Sequence, residues 1–177
     1  MPATALIVID MLSPYDFEDA ERLVASAEGV VPRLAGLLDA ARGADVPVIY
    51  VNDNFGDWNS SAGELLAHAL SGARPDLVEP LRPPEDAKFV IKARHSIFYN
   101  TPLEYLLSQL GATRLVLTGQ VTEQCILYSA LDAYVREHEI VIPRDAVAHI
   151  HDDLADAALR MMERNMGAEV VDARDVF

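Results

Sequence analysis

Three residues with the chemistry for acyl transfer stand just beyond short apolar runs. Asp10 follows Leu6-Ile7-Val8-Ile9, and Lys92 follows Lys88-Phe89-Val90-Ile91. Cys125 follows Leu115-Val116-Leu117-Thr118-Gly119 after a tight connection. A thiol attacks a carbonyl as the thiolate, and a helix N-terminus or a neighbouring ammonium lowers its pKa. A carboxylate beside it can take the thiol proton and later return it to a leaving amine. Acid, amine and thiol on neighbouring strand ends would therefore make an acyl-transfer site, with the backbone N–H groups of the Gly119–Cys125 turn as its oxyanion hole. Singly, each has a plainer explanation: a small buried cysteine, a turn-capping aspartate, a solvated lysine. Their shared position is what distinguishes them.

The elements that would place them read as an alternation of strands and helices. Ala5–Ile9 is continuous and β-branched, as a strand buried on both faces would be. Glu28–Ala41 is predicted as a helix with Val31, Leu34, Leu37 and Leu38 on one face and Pro32 in its first turn. Further strands are predicted at Val46–Val51, Lys88–Ile91, Leu115–Leu117, Ile140–Ile142 and Glu169–Val171. Helices are predicted at Pro102–Leu110, capped by Thr101 and ended by Gly111, at Glu123–Arg136, and from Asp152 to about Met166. This pattern implies an α/β fold, a three-layer doubly wound sheet of about six mainly parallel strands with helices on both faces. Ligands in such sheets sit outside the carboxyl ends of the strands, where the three residues fall. The irregular stretch Asn52–Asp86 around a short Glu64–Leu70 helix reads as a lid or binding loop.

Composition narrows the class. The chain has 177 residues, 14 Lys+Arg against 28 Asp+Glu for a net charge of −14, and one cysteine. That length suits a single domain over residues 1–177, burying about 70% of its unfolded surface. The acid excess, with no clustered basic stripe, argues against a nucleic-acid partner. One cysteine excludes an intramolecular disulfide and a multi-cysteine zinc site. No stretch approaches the roughly 20 apolar residues that span a bilayer, and Met1-Pro2-Ala3-Thr4 has no basic leader character. A cytoplasmic protein acting on a small molecule, without membrane association, is expected.

Specific motifs sharpen this. Ala5-Leu6-Ile7-Val8-Ile9-Asp10-Met11, Val90-Ile91-Lys92 with His95-Ser96-Ile97-Phe98-Tyr99-Asn100-Thr101-Pro102-Leu103, and Leu117-Thr118-Gly119-Gln120-Val121-Thr122-Glu123-Gln124-Cys125 resemble those of the isochorismatase-like cysteine hydrolases. That family includes nicotinamidases and N-carbamoylsarcosine amidases. Ala130-Leu131-Asp132-Ala133 and Pro143-Arg144-Asp145-Ala146 extend the likeness. The resemblance implies a Cys125 nucleophile, an Asp10 general base that also activates water, and a Lys92 that balances the site's charge. It further implies a non-proline cis peptide at Gln120–Val121 that aims the N–H groups of Val121 and Cys125 at one oxygen. A homo-oligomer, dimer or tetramer, is likewise implied.

Departures from the family narrow the substrate. Isochorismatase proper lacks the nucleophilic cysteine, so Cys125 favours amide hydrolysis through a thioester. Nicotinamidases bind a metal through Asp-x-His and a further histidine, whereas this stretch reads Asn52-Asp53-Asn54-Phe55-Gly56-Asp57-Trp58-Asn59. No metal and no other cofactor are expected, and nicotinamidase activity becomes a minor option. Phe17, Trp58 and Phe98 are candidates for the substrate pocket, while Tyr128 is expected to pack against the sheet. His95 is a weaker candidate base, because Cys–His pairs also activate thiols. A thiol redox sensor and a non-catalytic binding relative are the competing classes.

Overall fold

The computed structural model describes residues 3–177. In chain order it contains β1 (Ala3–Ile9), α1 (Ala20–Gly43), β2 (Val48–Asp53), α2 (Ala62–Leu70), α3 (Pro75–Val78) and β3 (Lys88–Lys92). There follow α4 (Leu103–Leu110), β4 (Ala112–Gln120), a π-helical turn (Thr122–Ile126), α5 (Leu127–Val135), β5 (Glu139–Pro143), β6 (Val147–Ala148), α6 (Asp152–Met166) and β7 (Glu169–Val171).

The strands pair in the order β3-β2-β1-β4-β5-β7, with β6 beside the end of β4, and every pairing is parallel. Each face of this sheet carries its own apolar layer. Leu6 and Val8 of β1 meet α1, α2 and α3 on one side. Ala5, Ile7 and Ile9 meet α4, α5 and α6 on the other. Burial on both faces is why β1 is apolar at successive positions instead of alternating.

The doubly wound class expected from the sequence is present, with local corrections. A seventh strand, β6, pairs Val147 and Ala148 with Gly119 and Gln120; two residues carry no periodicity for a sequence pattern to reveal. Helix α1 begins eight residues before Glu28, so Pro32 lies in its interior and not in its first turn. Leu23 and Ala27 extend the buried stripe backwards, and burial along this long helix outweighs the roughly 3 kcal/mol cost of an interior proline. The helix predicted from Glu123 starts as a π turn, in which the Ile126 N–H donates to the Val121 carbonyl at 3.1 Å. Helix α4 closes on Gly111 in the left-handed conformation, as expected.

Strand order reverses between β1 and β4. The chain winds outward from β1 to β3, then crosses back to enter β4 on β1's other side. A crevice opens at such a switch point, outside the strand carboxyl ends. There Ile9 pairs with Gly119, and one strand further Asp53 pairs with Lys92. The approach is tight. Gly119 has φ +106°, and a Cβ placed on it would lie 2.1 Å from the Ile9 carbonyl oxygen. Only glycine fits there.

Candidate active site

Asp10, Lys92 and Cys125 converge at this switch point. Asp10 leaves β1 with φ +56°, a left-handed conformation that aspartate tolerates better than most residues. Its backbone is clamped on both sides: its N–H donates to the Val51 carbonyl at 2.9 Å, and its carbonyl accepts from Gln120 Nε2 at 2.7 Å. Buried Asn52 pins the following residues, accepting from the Leu12 N–H at 2.9 Å and donating to the Leu12 carbonyl at 3.2 Å. The Asp10 carboxylate is thereby held still. Its Oδ1 accepts from the Asp53 N–H at 2.8 Å, and its Oδ2 lies 2.9 Å from Lys92 Nζ.

Lys92 ends β3 with its side chain only 1% exposed. Besides Asp10, its ammonium faces Asp53 Oδ2 at 3.4 Å and Cys125 Sγ at 3.7 Å. Burial alone would lower the Lys92 pKa, but Asp10, the sulfur and Asp53 together raise it, so the group stays cationic. Burial raises the Asp10 pKa, with Lys92 opposing.

The thiol behaves differently from the sequence expectation. Cys125 is 8% exposed, and burial together with the Asp10 charge pushes its pKa up despite the ammonium. Desolvation outweighs the one favourable cation. The resting sulfur is therefore a protonated thiol that donates toward Asp10, and its proton must move as attack occurs.

The Gln120–Val121 peptide is cis. The Val121 carbonyl accepts from the N–H groups of Gln124 and Ile126, at 3.0 and 3.1 Å, closing the turn that carries Cys125. Glu123 anchors the same turn by accepting from the Ile150 and His151 N–H groups at 3.0 and 2.8 Å.

The three aromatic pocket candidates separate. Trp58 is 82% exposed on a cleft of about 720 Å³ that also borders Asp53, Phe55, Lys92, Arg94 and Tyr99. Phe17 is half-exposed in the β1–α1 connection and is not part of that cleft wall. Phe98 is a correction: it is 6% exposed, stacked on His138 at 5.9 Å and covered by the Arg136 guanidinium at 4.8 Å. The α4–α5 layer draws this ring into the core. His138, expected in a solvated turn, is half-buried against it, and burial lowers its pKa.

Two further groups stand near the thiol: Asp53, which carries no role in the sequence expectation, and His95, the weaker candidate base. Asp53 supplies a second carboxylate to Lys92 as well as the N–H to Asp10; nothing in its local sequence marks it. His95 Nδ1 lies 3.6 Å from Cys125 Sγ, and its ring tilts against Tyr128 with centroids 5.4 Å apart. Tyr128 is accordingly exposed beside His95 and not packed on the sheet. Among the described residues, no three His, Cys, Asp or Glu side chains gather as a metal-binding group. His68 instead meets Phe55 edge-on, with centroids 6.3 Å apart. No helix among them is long and apolar enough to cross a membrane.

This chain belongs to the isochorismatase family: the isochorismatase domain model matches residues 4–175. An isochorismatase family protein of uncharacterised function from Bacillus subtilis, YaaI, is 33% identical over 98% of this chain and 96% of its own length. The ureidoacrylate amidohydrolase RutB of Agrobacterium fabrum is 29% identical, covering 88% of this chain and 80% of its own. Among solved structures, an isochorismatase family protein from Desulfovibrio vulgaris superposes with a TM-score of 0.78 at 27% identity, covering 98% and 96% of the two chains.

Proposed function

We propose that the chain is a cysteine hydrolase that cleaves the C–N bond of a small amide through a Cys125 thioester. The observation that carries this reading is the Asp10–Lys92–Cys125 contact set at the sheet's switch point, with Lys92 Nζ 2.9 Å from Asp10 and 3.7 Å from the sulfur. Asp10 takes the thiol proton as Sγ attacks the substrate carbonyl, so no free thiolate need accumulate. Lys92 keeps Asp10 ionised in its buried position and balances the negative charge that develops at sulfur. The N–H groups of Val121 and Cys125 hold the tetrahedral oxyanion. Asp10 then passes the proton to the leaving amine, and water releases the acid.

Trp58 and the cleft beside Lys92 receive the substrate. The amidohydrolase activity named for the RutB relative supports an amide or ureido substrate. The raised thiol pKa argues against a redox sensor, since sensor cysteines are low-pKa thiolates. A homo-oligomer, dimer or tetramer, of this single catalytic domain accounts for exposed Leu131, Tyr134 and Val135 on α5, and the free cysteine suits the cytoplasm.

A panel of small amides, ureido acids and carbamoyl compounds, assayed with the wild type and Cys125→Ala together, tests the reading. Turnover of one class by the wild type, abolished in a folded Cys125→Ala, is expected. Near-normal activity in that variant removes Cys125 as nucleophile.

A further inference from the structure

Most arginines of this chain hold a carboxylate. Acids outnumber bases 28 to 14, and Arg74, Arg114 and Arg136 each have one within 3.1 Å. Arg94 has none among the described residues, although it stands on the cleft of about 720 Å³ that reaches Lys92.

Local folding shows why this guanidinium is left open. The Asn54 N–H donates to the Lys92 carbonyl at 2.8 Å, so the chain leaves β3 against the loop that carries Phe55, Asp57 and Trp58. The acids of that wall turn to other groups. Asp53 accepts from the Phe55 N–H at 2.8 Å and faces Lys92 at 3.4 Å, and Asp57 accepts from the Asn59 N–H at 2.9 Å. The cleft therefore presents an unpaired guanidinium beside the exposed rings of Phe55, Trp58 and Tyr99. Two residues of chain span at most about 7 Å. Arg94 thus follows closely on the lysine whose ammonium is 3.7 Å from Cys125 Sγ. A small molecule with its amide carbonyl at the sulfur can reach Arg94 a few bonds further along.

We propose that Arg94 determines specificity and that the substrate is a small amide bearing a carboxylate at its far end. The inference rests on the acyl-enzyme reading above, which puts the scissile carbonyl at Cys125. A guanidinium offers two parallel N–H donors that match the two oxygens of a carboxylate. The aromatic rings of the cleft cover the apolar body between the two ends. A net charge of −14 repels an anion from the molecule as a whole, and Arg94 supplies the local attraction that reverses this at the cleft. No bond changes at Arg94; it holds one end of the substrate while the other reacts.

Glutaramate, glutaramide and 4-aminobutyramide test this, since they share one spacer and end in an anion, a neutral amide and a cation. Ammonia release gives kcat/KM for each. Protection of Cys125 from iodoacetamide, followed by intact mass, gives binding without turnover. Wild type is expected to favour glutaramate in both readouts. Arg94→Gln should cut the glutaramate-to-glutaramide ratio of kcat/KM by about 10–100-fold, the range of a hydrogen-bonded charge, chiefly through KM. Arg94→Lys should recover part of the ratio. Arg94→Glu should turn the preference to 4-aminobutyramide, which loss of a merely structural arginine would not do. The proposal is overturned if wild type binds glutaramate no better than glutaramide, or if Arg94→Gln leaves the ratio intact. Selective protection by glutaramate with no ammonia released from any of the three would instead overturn the acyl-enzyme reading and leave the carboxylate site standing.

Discussion

Replacing Lys92 by methionine removes the ammonium that faces Asp10 Oδ2 at 2.9 Å and Asp53 Oδ2 at 3.4 Å while nearly preserving side-chain length. The Lys92 side chain is 1% exposed, so water does not take the place of the lost charge. Removing one partner of a buried pair typically costs about 3–5 kcal/mol, because the other charge is left uncompensated. For a chain of this size that corresponds to a fall in Tm of roughly 6–20 °C. Burial already raises the Asp10 pKa with Lys92 opposing, and without Lys92 it rises further. A carboxyl whose folded pKa lies above its unfolded value favours the folded state below the unfolded pKa, and that contribution is lost as pH rises through the folded one. The stability deficit of Lys92→Met should therefore be full at neutral pH and shrink in acid, where a protonated Asp10 needs no counter-charge. At the alkaline end the deficit shrinks again, from the other side. Wild type loses stability as pH rises through the raised Lys92 pKa, and the variant has no such loss. Urea unfolding followed by circular dichroism at intervals between about pH 4 and pH 8 measures the acid limb. Adding Asp10→Asn should recover much of the deficit, since the double variant buries no unpaired charge at that position. A neutral-pH deficit below about 1 kcal/mol, or one that does not diminish in acid, would show that Asp10 and Lys92 are not a buried ion pair.

Other expectations separate substrate contact from architecture. Trp58→Ala should raise KM while changing stability by no more than about 0.5 kcal/mol, since the ring is 82% exposed on the cleft. Phe98→Ala should do the opposite, costing about 3–5 kcal/mol in urea unfolding and leaving KM unaltered per folded molecule. Gly119→Ala should destabilise by about 2–5 kcal/mol, because its φ is +106° and the new Cβ meets the Ile9 backbone; wild-type stability there would contradict the close β1–β4 approach.

Much of the architecture was legible in the order of residues because burial leaves a local record. β1 is apolar at successive positions, and its ending at Asp10 marks a strand carboxyl edge. Gly111 closes α4 by adopting the left-handed conformation, and the two acids Asp152 and Asp153 open α6 by complementing its dipole, both effects confined to a turn. The boundaries that escaped were those decided by distant packing. Two-residue β6 exists because β4 offers it an edge, and Pro32 is tolerated because α1 is buried along the sheet.

The site divides the same way. The amino-acid sequence by itself determined that an acid, an amine and the only thiol would lie at the ends of strands, and its motifs indicated the family. Residue type and position along a strand are local properties, so these needed no coordinates. Only the tertiary structure decided that Asp53 shares Lys92, that His95 reaches the sulfur, and that Phe98 faces the core. It also decided the sign of the thiol pKa. A pKa depends on how much water surrounds a group and which charges stand within a few ångströms, and the folded packing of several elements, not residue order, fixes both.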